Sequence, residues 1–83
     1  MEHLIREYIK NIDEYTIEKY AKSNDIYLSD NEIKVIYLYL KNYWEIFYKG
    51  DPTYLFKELE EQIKKDNLDK IKNLYKKYKE KIK

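Results

Sequence analysis

Few side chains in this 83-residue sequence stand in a pattern typical of a catalytic acid, base or nucleophile. The only histidine, His3, lies near the start of the chain, where ends commonly fray, whereas a general base needs a fixed partner. Ser23 and Ser29 have structural explanations, in a linker and at the start of a helix. No nucleophile–base pattern and no glycine-rich phosphate loop accompanies them. We therefore expect no catalytic residues and no enzyme activity.

Three carboxylates close together in the sequence, Glu58, Glu60 and Glu61, could suggest a metal site. Glu60 and Glu61, however, each lie four residues before a lysine, which is the favourable order for ion pairs on a helix surface. The sequence also has no cysteine, and hence neither a thiolate metal site nor a disulfide. We expect no metal, no cofactor and no small-molecule substrate.

The last quarter of the sequence is rich in lysine. From Lys64 onward there are nine lysines and three acidic residues, a net charge of +6, whereas residues 1–63 carry −5. A lysine-rich helix is typical of nucleic-acid binding, and the candidate contacts to a polyanion are Lys70, Lys72, Lys76, Lys77, Lys79 and Lys81.

The position of these lysines on a helical wheel favours another role. They flank an apolar stripe, and the face opposite the stripe holds Asp69, Asn73 and Glu80. Lysines beside an apolar stripe extend their stems over apolar surface and direct their ammonium groups towards neighbouring helices. We therefore expect mostly intramolecular pairing, and phosphate binding stays the alternative.

The elements that position these groups are all predicted to be helices, since glycine and proline occur once each and apolar residues recur at helical spacing. A first helix is predicted over Glu2–Asn11, with an inward face of Ile5, Tyr8, Ile9 and Ile12. Asp13 is placed to cap a second helix over Glu14–Ser23, with an inward face of Ile17, Tyr20 and Ala21. In the linker that follows, Ile26 and Leu28 are expected to plug the core.

Three further helix starts follow from capping patterns. Ser29 and Glu32 have the spacing of a capping box, in which each side chain accepts a hydrogen bond from the backbone N–H of the other. Gly50 ends the third helix, and Asp51 and Pro52 are expected to be the cap and first position of the fourth. The segment Asp66–Asp69 is a weaker cap for a fifth helix, whose apolar stripe comprises Leu68, Ile71, Leu74, Tyr75, Tyr78 and Ile82.

The third helix is apolar on two sides. Its core stripe comprises Ile33, Ile36, Tyr37, Leu40, Tyr43, Trp44 and Phe47, a spacing that continues the helix to about Tyr48. A second stripe, on the far side, comprises Val35, Leu38, Tyr39, Asn42 and Ile46. A helix that is apolar nearly all round is normally buried on both sides, so the first two helices are expected to cover the second stripe. Any part that they leave open is a predicted partner or dimer surface.

Several segments resemble a family of short, uncharacterised proteins of low-GC Gram-positive bacteria, known as a domain of unknown function. They are TIEKYAKSNDIYLSDNEIKVIYLYL (residues 16–40), the pair Ile46-Phe47, LFKELEEQIKK (residues 55–65) and IKNLYKKY (residues 71–78). The resemblance implies a small helical fold and carries no activity with it. The family breaks its chain with glycine after the equivalent of Leu40, where this sequence has Asn42, so the resemblance implies a break near Asn42.

The sequence predicts a soluble, cytoplasmic protein. Its first residues are charged from Glu2 onward, with no apolar signal-peptide core, and the longest uncharged run, VIYLYL, is too short to cross a bilayer. The lysines beside Tyr75 and Tyr78 do resemble an interfacial membrane helix. The same apolar stripe, however, is needed to cover the third and fourth helices.

We therefore expect a single all-α domain over residues 1–83, a compact bundle of four to five short helices around a central apolar helix. Its predicted function is that of a non-catalytic interaction or structural module whose partner is a protein or a second copy of the chain. The alternative is an accessory nucleic-acid-binding protein that uses its lysine-rich last helix.

Overall fold

A computed structural model describes residues 2–81 of the chain, and it confirms the all-α prediction, since these residues form five helices and no strand. The helices are α1 (Glu2–Asn11), α2 (Glu14–Ser23), α3 (Asp30–Lys49), α4 (Thr53–Leu59) and α5 (Lys65–Lys81). The first two have the predicted bounds. Ile82, predicted to extend the apolar stripe of the last helix, lies outside the described residues.

The central helix α3 packs on both of its sides. On one side it contacts α1 and α2, and Ile33 is buried beside the start of α2. On the other side Val35 joins an apolar cluster formed by α4, the following turn and α5, whose members are Phe56, Leu59, Ile63 and Leu68. Ile26 of the linker is buried as predicted, whereas Leu28 is half-buried.

The starts of α2 and α3 are capped as predicted. Asp13 Oδ1 accepts hydrogen bonds from the backbone N–H and the hydroxyl of Thr16, at 2.8 and 2.7 Å. The capping box of α3 is complete, because Ser29 Oγ accepts from the Glu32 N–H at 3.2 Å and Glu32 Oε1 accepts from the Ser29 N–H at 2.9 Å. These bonds satisfy amide groups that a helix start would otherwise leave unpaired.

Helix α3 continues to Lys49, which confirms the predicted continuation to about Tyr48. It is not regular throughout, because Tyr43 has non-helical backbone angles, with φ −129° and ψ 20°. The break that the family resemblance implied near Asn42 is thus a kink at the next residue, and the helix does not end there.

The predicted start of α4 is wrong by one residue. The helix begins at Thr53, and Pro52 precedes it with φ −85° and ψ 11°. Asp51 still stabilises this start, since its Oδ1 accepts from the Thr53 N–H at 3.1 Å and from the Thr53 hydroxyl at 2.6 Å.

Helix α4 is also shorter than predicted, and the charge pairs expected on it are not formed. It ends at Leu59, and a turn held by backbone bonds follows, which delivers Ile63 into the core. Glu60 and Glu61 lie in that turn, so within residues 2–81 neither makes its predicted i,i+4 pair. Glu60 instead lies 3.7 Å from the Nζ of Lys72 on α5.

Helix α5 begins at Lys65, before the predicted cap at Asp66–Asp69. The hydrogen-bond acceptor at the start of α5 comes from another helix, since the backbone N–H of Lys64 donates to Glu32 Oε2 of α3 at 2.7 Å. Asn67 in the first turn donates to Glu32 Oε1 at 3.2 Å. The cap prediction was wrong because the acceptor is distant in the sequence.

Helix α1 contributes no fully buried residue. Polar contacts hold it against α3: Lys49 Nζ lies 2.9 Å from Glu2 Oε1, and Lys41 Nζ donates to the Lys10 carbonyl at 2.7 Å. Shallow packing of this kind leaves side chains at helix edges open to solvent. Four tyrosines predicted to face inward, one each on α1, α2, α3 and α5, are exposed, namely Tyr8, Tyr20, Tyr43 and Tyr78.

No helix within residues 2–81 is both long enough and apolar enough to cross a membrane.

Candidate partner-binding surface

The predicted second stripe of α3 is divided between the core and the surface. Val35 is only 9% exposed and packs in the cluster with α4 and α5, so it is not open to a partner. Tyr39 and Ile46 are half-buried, whereas Asn42 is exposed and Leu38 is 49% exposed. The expectation that α1 and α2 cover this stripe is wrong. The inner edge of the stripe, at Val35, is covered by α4 and α5, with which it forms the apolar cluster.

Tyr39 fixes this edge through its hydroxyl. The Tyr39 hydroxyl donates to Glu58 Oε1 at 2.9 Å, and burial, together with the neighbouring Glu58 carboxylate, raises the pKa of Tyr39. The phenol therefore stays protonated near neutral pH and keeps its role as a donor. Its ring also contacts that of Tyr43, with centroids 5.5 Å apart.

Tyr54 of α4 extends the open surface beside α3. It is 52% exposed and lies one helical turn before Glu58, the residue that bonds to Tyr39. Because residues four apart on a helix share a face, Tyr54 lies on the same side of α4 as Glu58, whose carboxylate bonds to Tyr39. We call the surface formed by these side chains the α3 patch, and it comprises Leu38, Tyr39, Asn42, Tyr43, Ile46 and Tyr54.

The α3 patch has no charged member and has charges of both signs beside it. Lys34 lies one turn before Leu38, and Glu45 lies one turn beyond Asn42 towards the end of the helix, both exposed. Among the described residues, the ion-pair partner of Glu45 is Lys49, whose Nζ lies 3.9 Å from Glu45 Oε2. An apolar, aromatic centre with charges at the rim is typical of protein–protein interfaces.

Three lysines of α5 are engaged within the protein, as the wheel predicted. Lys70 Nζ donates to the Asp25 carbonyl at 3.0 Å, and Lys79 Nζ donates to the Tyr48 carbonyl at 2.6 Å. Lys72 Nζ lies 3.7 Å from Glu60 Oε1 and 5.9 Å from the ring centroid of Phe56. The other three candidates for polyanion contact, Lys76, Lys77 and Lys81, are exposed and have no ion-pair or hydrogen-bond partner among residues 2–81.

Helix α5 is rotated relative to the predicted wheel. Leu68 and Tyr75 point towards α3 and α4, and Lys72 and Lys79 lie on the same side. The predicted outer residues Asp69, Asn73 and Glu80 are exposed. By the helical period, however, the side opposite Leu68 also carries a row of lysines, namely Lys70, Lys77 and Lys81. The prediction of an outer face without lysine is therefore wrong. Long lysine stems can lie beside the core, so α5 is rotated to place Lys72 and Lys79 on its inner side, and other lysines then face outwards.

The side chains considered for chemistry are not brought into one site. His3 is exposed on α1, Ser23 Oγ donates to the Tyr20 carbonyl at 2.7 Å, and Ser29 belongs to the cap of α3. Glu58 and Glu60 bond to Tyr39 and Lys72, each in a different direction. Within the part of the chain that the structure describes, no group of three or more His, Cys, Asp or Glu residues could hold a metal ion.

Two parts of the patch were missed by sequence reasoning. Tyr43 was assigned to the core, and Tyr54 was assigned no role. Tyr43 lies at the kink in α3, which has no local sequence signal, and the exposure of Tyr54 depends on how α4 packs against the rest of the fold.

Comparisons with protein-family models, with curated proteins and with solved structures gave no match. Over residues 2–81 the fold is that of a small all-α protein, built around a kinked central helix that carries an open apolar patch. The family resemblance drawn from the sequence stays a prediction.

Proposed function

We propose that this protein is a small, non-catalytic interaction module that binds another protein chain through the α3 patch. The observation that carries the proposal is the exposure of Leu38, at 49%, at the middle of the central helix and next to Tyr39, whose ring contacts the exposed ring of Tyr43. We propose the cytoplasm as its place of action.

The composition of the patch supports a protein partner. Tyrosine is enriched in protein interfaces because its ring buries a large area and its hydroxyl can still form a hydrogen bond at the edge. The α3 patch combines three tyrosines with Leu38 and Ile46 over adjacent turns. Other exposed tyrosines, such as Tyr15 and Tyr27, stand in α2 and the linker, and single exposed aromatics need no functional explanation.

Polyanion binding is the second candidate, and the outward row of Lys70, Lys77 and Lys81 is the observation that favours it. Three acidic residues, Asp66, Asp69 and Glu80, are exposed on the same helix and lower its net positive charge. Moreover, Lys70 already donates to the Asp25 carbonyl. Phosphate contacts depend on uncompensated positive charge, so this surface is weaker support than the apolar patch.

Photo-crosslinking in cell extract tests the proposed function. A photoreactive amino acid replaces Leu38 in one variant and Leu4, an exposed leucine of α1, in a matched control. We expect protein adducts from position 38 and not from position 4, with the same yield after nuclease treatment. Adducts that disappear with nuclease would support the polyanion candidate, and an absence of adducts at position 38 would contradict the proposal.

A further inference from the structure

We infer that the α3 patch binds a second copy of this chain, with the two α3 helices packed antiparallel about a twofold axis near Leu38 and Asn42. The inference rests on the proposed function and names the partner for the same surface. Symmetric dimers are the commonest assemblies of soluble proteins, and a twofold interface uses one self-complementary patch on each copy.

The surface area of the chain is the first observation in favour. Its accessible surface is 6194 Å² for a mass of 10.4 kDa, whereas a compact monomer of that mass is expected to expose about 5400 Å². The excess, roughly 800 Å², is of the order that each partner buries in a protein interface of standard size, and Leu38, Tyr43 and Tyr54 of the patch are among the exposed side chains that contribute to it.

An extended shape does not explain the excess. The radius of gyration is 12.1 Å, and a compact chain of this length is expected to have one of about 12 Å. The extra area therefore comes from side chains that stand out of a compact body. Burial of such side chains against a second copy would supplement the core of a small chain without disulfides.

The charges beside the patch are the second observation. Lys34 lies four residues before Leu38, and Glu45 lies three residues after Asn42. We place the twofold axis midway between Leu38 and Asn42. By the helical rise, Lys34 of one copy and Glu45 of the other then lie within about 2 Å of each other along the direction of the antiparallel helices. Lys34 would then lie opposite Glu45 of the partner subunit, and the symmetry forms this contact twice.

Other exposed surfaces fit a second copy less well. Leu4 and Tyr8 of α1 form a pair only one helical turn long, on a helix that contributes no buried residue. The outward lysines of α5 would repel their own copies across a twofold axis. The α3 patch combines apolar side chains of α3 and α4 with charges of both signs at its rim.

Sedimentation equilibrium over a concentration series tests the inference on the whole chain. The wild type should approach twice the monomer mass as the concentration rises. Leu38→Lys should remain at the monomer mass throughout, because it places two ammonium groups in the apolar centre. The matched control Leu4→Lys adds the same charge at a leucine that is 67% exposed and should dimerise as the wild type does. Circular dichroism should show equal helicity in all three proteins.

Charge reversal tests the antiparallel arrangement. Lys34→Glu alone should weaken dimerisation about tenfold, because two exposed attractive contacts become repulsive, and Glu45→Lys alone should do the same. The double variant should recover most of the wild-type affinity. A double variant no better than the single ones would overturn the antiparallel pairing.

The outcomes separate this inference from the proposed function. A wild type that is monomeric at every concentration would refute the dimer, whereas photo-adducts at position 38 would still support a different protein partner. Loss of dimerisation in Leu4→Lys would place the interface on α1 and would also refute the inference. Absence of both dimerisation and adducts would refute the two proposals together.

Discussion

Glu32 of α3 accepts a hydrogen bond at 2.7 Å from the backbone N–H of Lys64, which lies 32 residues later and immediately precedes α5. The same carboxylate accepts from the Ser29 N–H and from the Asn67 side chain. It is 4% exposed, and no buried side-chain oxygen or nitrogen in the described part of the chain lacks a hydrogen-bond partner. One buried carboxylate thus joins the starts of α3 and α5.

Glu32→Gln should destabilise the fold by about 2 kcal/mol, because an amide presents N–H where the carboxylate accepts and leaves a buried backbone donor without a partner. Urea unfolding of the two proteins measures the change. Glu61→Gln is the control, since Glu61 is exposed in the turn after α4, and it should leave the unfolding midpoint unchanged. Equal midpoints for Glu32→Gln and wild type would show that the carboxylate is not required.

The same residue predicts how stability depends on pH. Burial raises the pKa of Glu32, but its hydrogen bonds from Ser29, Lys64 and Asn67 outweigh burial, and the pKa lies below the ordinary value of 4.5. The unfolded chain therefore takes up this proton first. The contribution of Glu32 is fully present above about pH 4.5 and is lost as the pH falls through the lower, folded-state pKa.

Unfolding free energies of wild type and Glu32→Gln measured between neutral pH and pH 3 isolate this contribution. The carboxylates of Asp13 and Asp51 also have lowered pKa values, through their bonds to Thr16 and Thr53, and act in the same direction in both proteins. The difference between the two curves should shrink on acidification. A difference that is constant with pH would contradict the assignment.

Ser29→Ala should lower the stability by about 1 kcal/mol, because the hydroxyl that accepts from the Glu32 N–H is removed from the cap of α3. Thermal unfolding followed by circular dichroism measures the effect. Ser23→Ala is the matched control, since the Ser23 hydroxyl caps no helix start and bonds only to the Tyr20 carbonyl and the Asn24 side chain at the exposed end of α2. A loss of equal size in both variants would show that the cap is not the cause.

Tyr75→Phe should destabilise the protein by about 1 kcal/mol. The Tyr75 hydroxyl donates to the Phe47 carbonyl at 2.5 Å, and Lys79 donates to the next carbonyl, so α5 satisfies the last carbonyl groups of α3. Tyr78→Phe is the control, because Tyr78 is exposed and within residues 2–81 its hydroxyl has no partner. Chemical denaturation should separate the two variants, and identical curves would refute this role of Tyr75.

Binding to duplex DNA or RNA should be weak and should depend little on salt. Titration of a labelled duplex at two salt concentrations measures this dependence, since each phosphate contact lowers log affinity by about 0.9 per unit of log salt on B-DNA. Tight binding with a steep slope, abolished by Lys77→Glu with Lys81→Glu, would promote the polyanion candidate above the protein partner.

The parts of the fold that could be predicted from the sequence are those set by neighbouring residues. Asp13 and Thr16, or Ser29 and Glu32, lie three positions apart, so the caps and bounds of the first helices follow from local chemistry. The start of α5 could not be predicted, because its acceptor is 32 residues away. Charge spacing predicted an i,i+4 pair of Glu60 with Lys64, which is not formed because α4 ends earlier than its periodicity indicated. The position of the α5 lysines beside their apolar stripe predicted contacts with neighbouring helices, and Lys72 does lie 3.7 Å from Glu60.

Only part of the candidate surface could be predicted, because local periodicity is visible in the sequence and contacts between helices are not. The periodicity of α3 identified Leu38, Asn42 and Ile46 as one row of the helix. The way the helices pack determines which side chains of the surface a neighbouring helix covers. This packing buries Val35 and leaves Tyr54 exposed, and periodicity alone does not predict it.

The most direct test of the α3 patch is a dilution series of the ¹⁵N-labelled protein, followed by amide chemical shifts. Concentration-dependent shifts should be confined to the backbone around Leu38, Asn42 and Ile46 and to Tyr54, and Leu38→Lys should abolish them. Shifts confined to α1 or to the outer lysines of α5, or spectra that do not change with concentration, would contradict self-association through the patch.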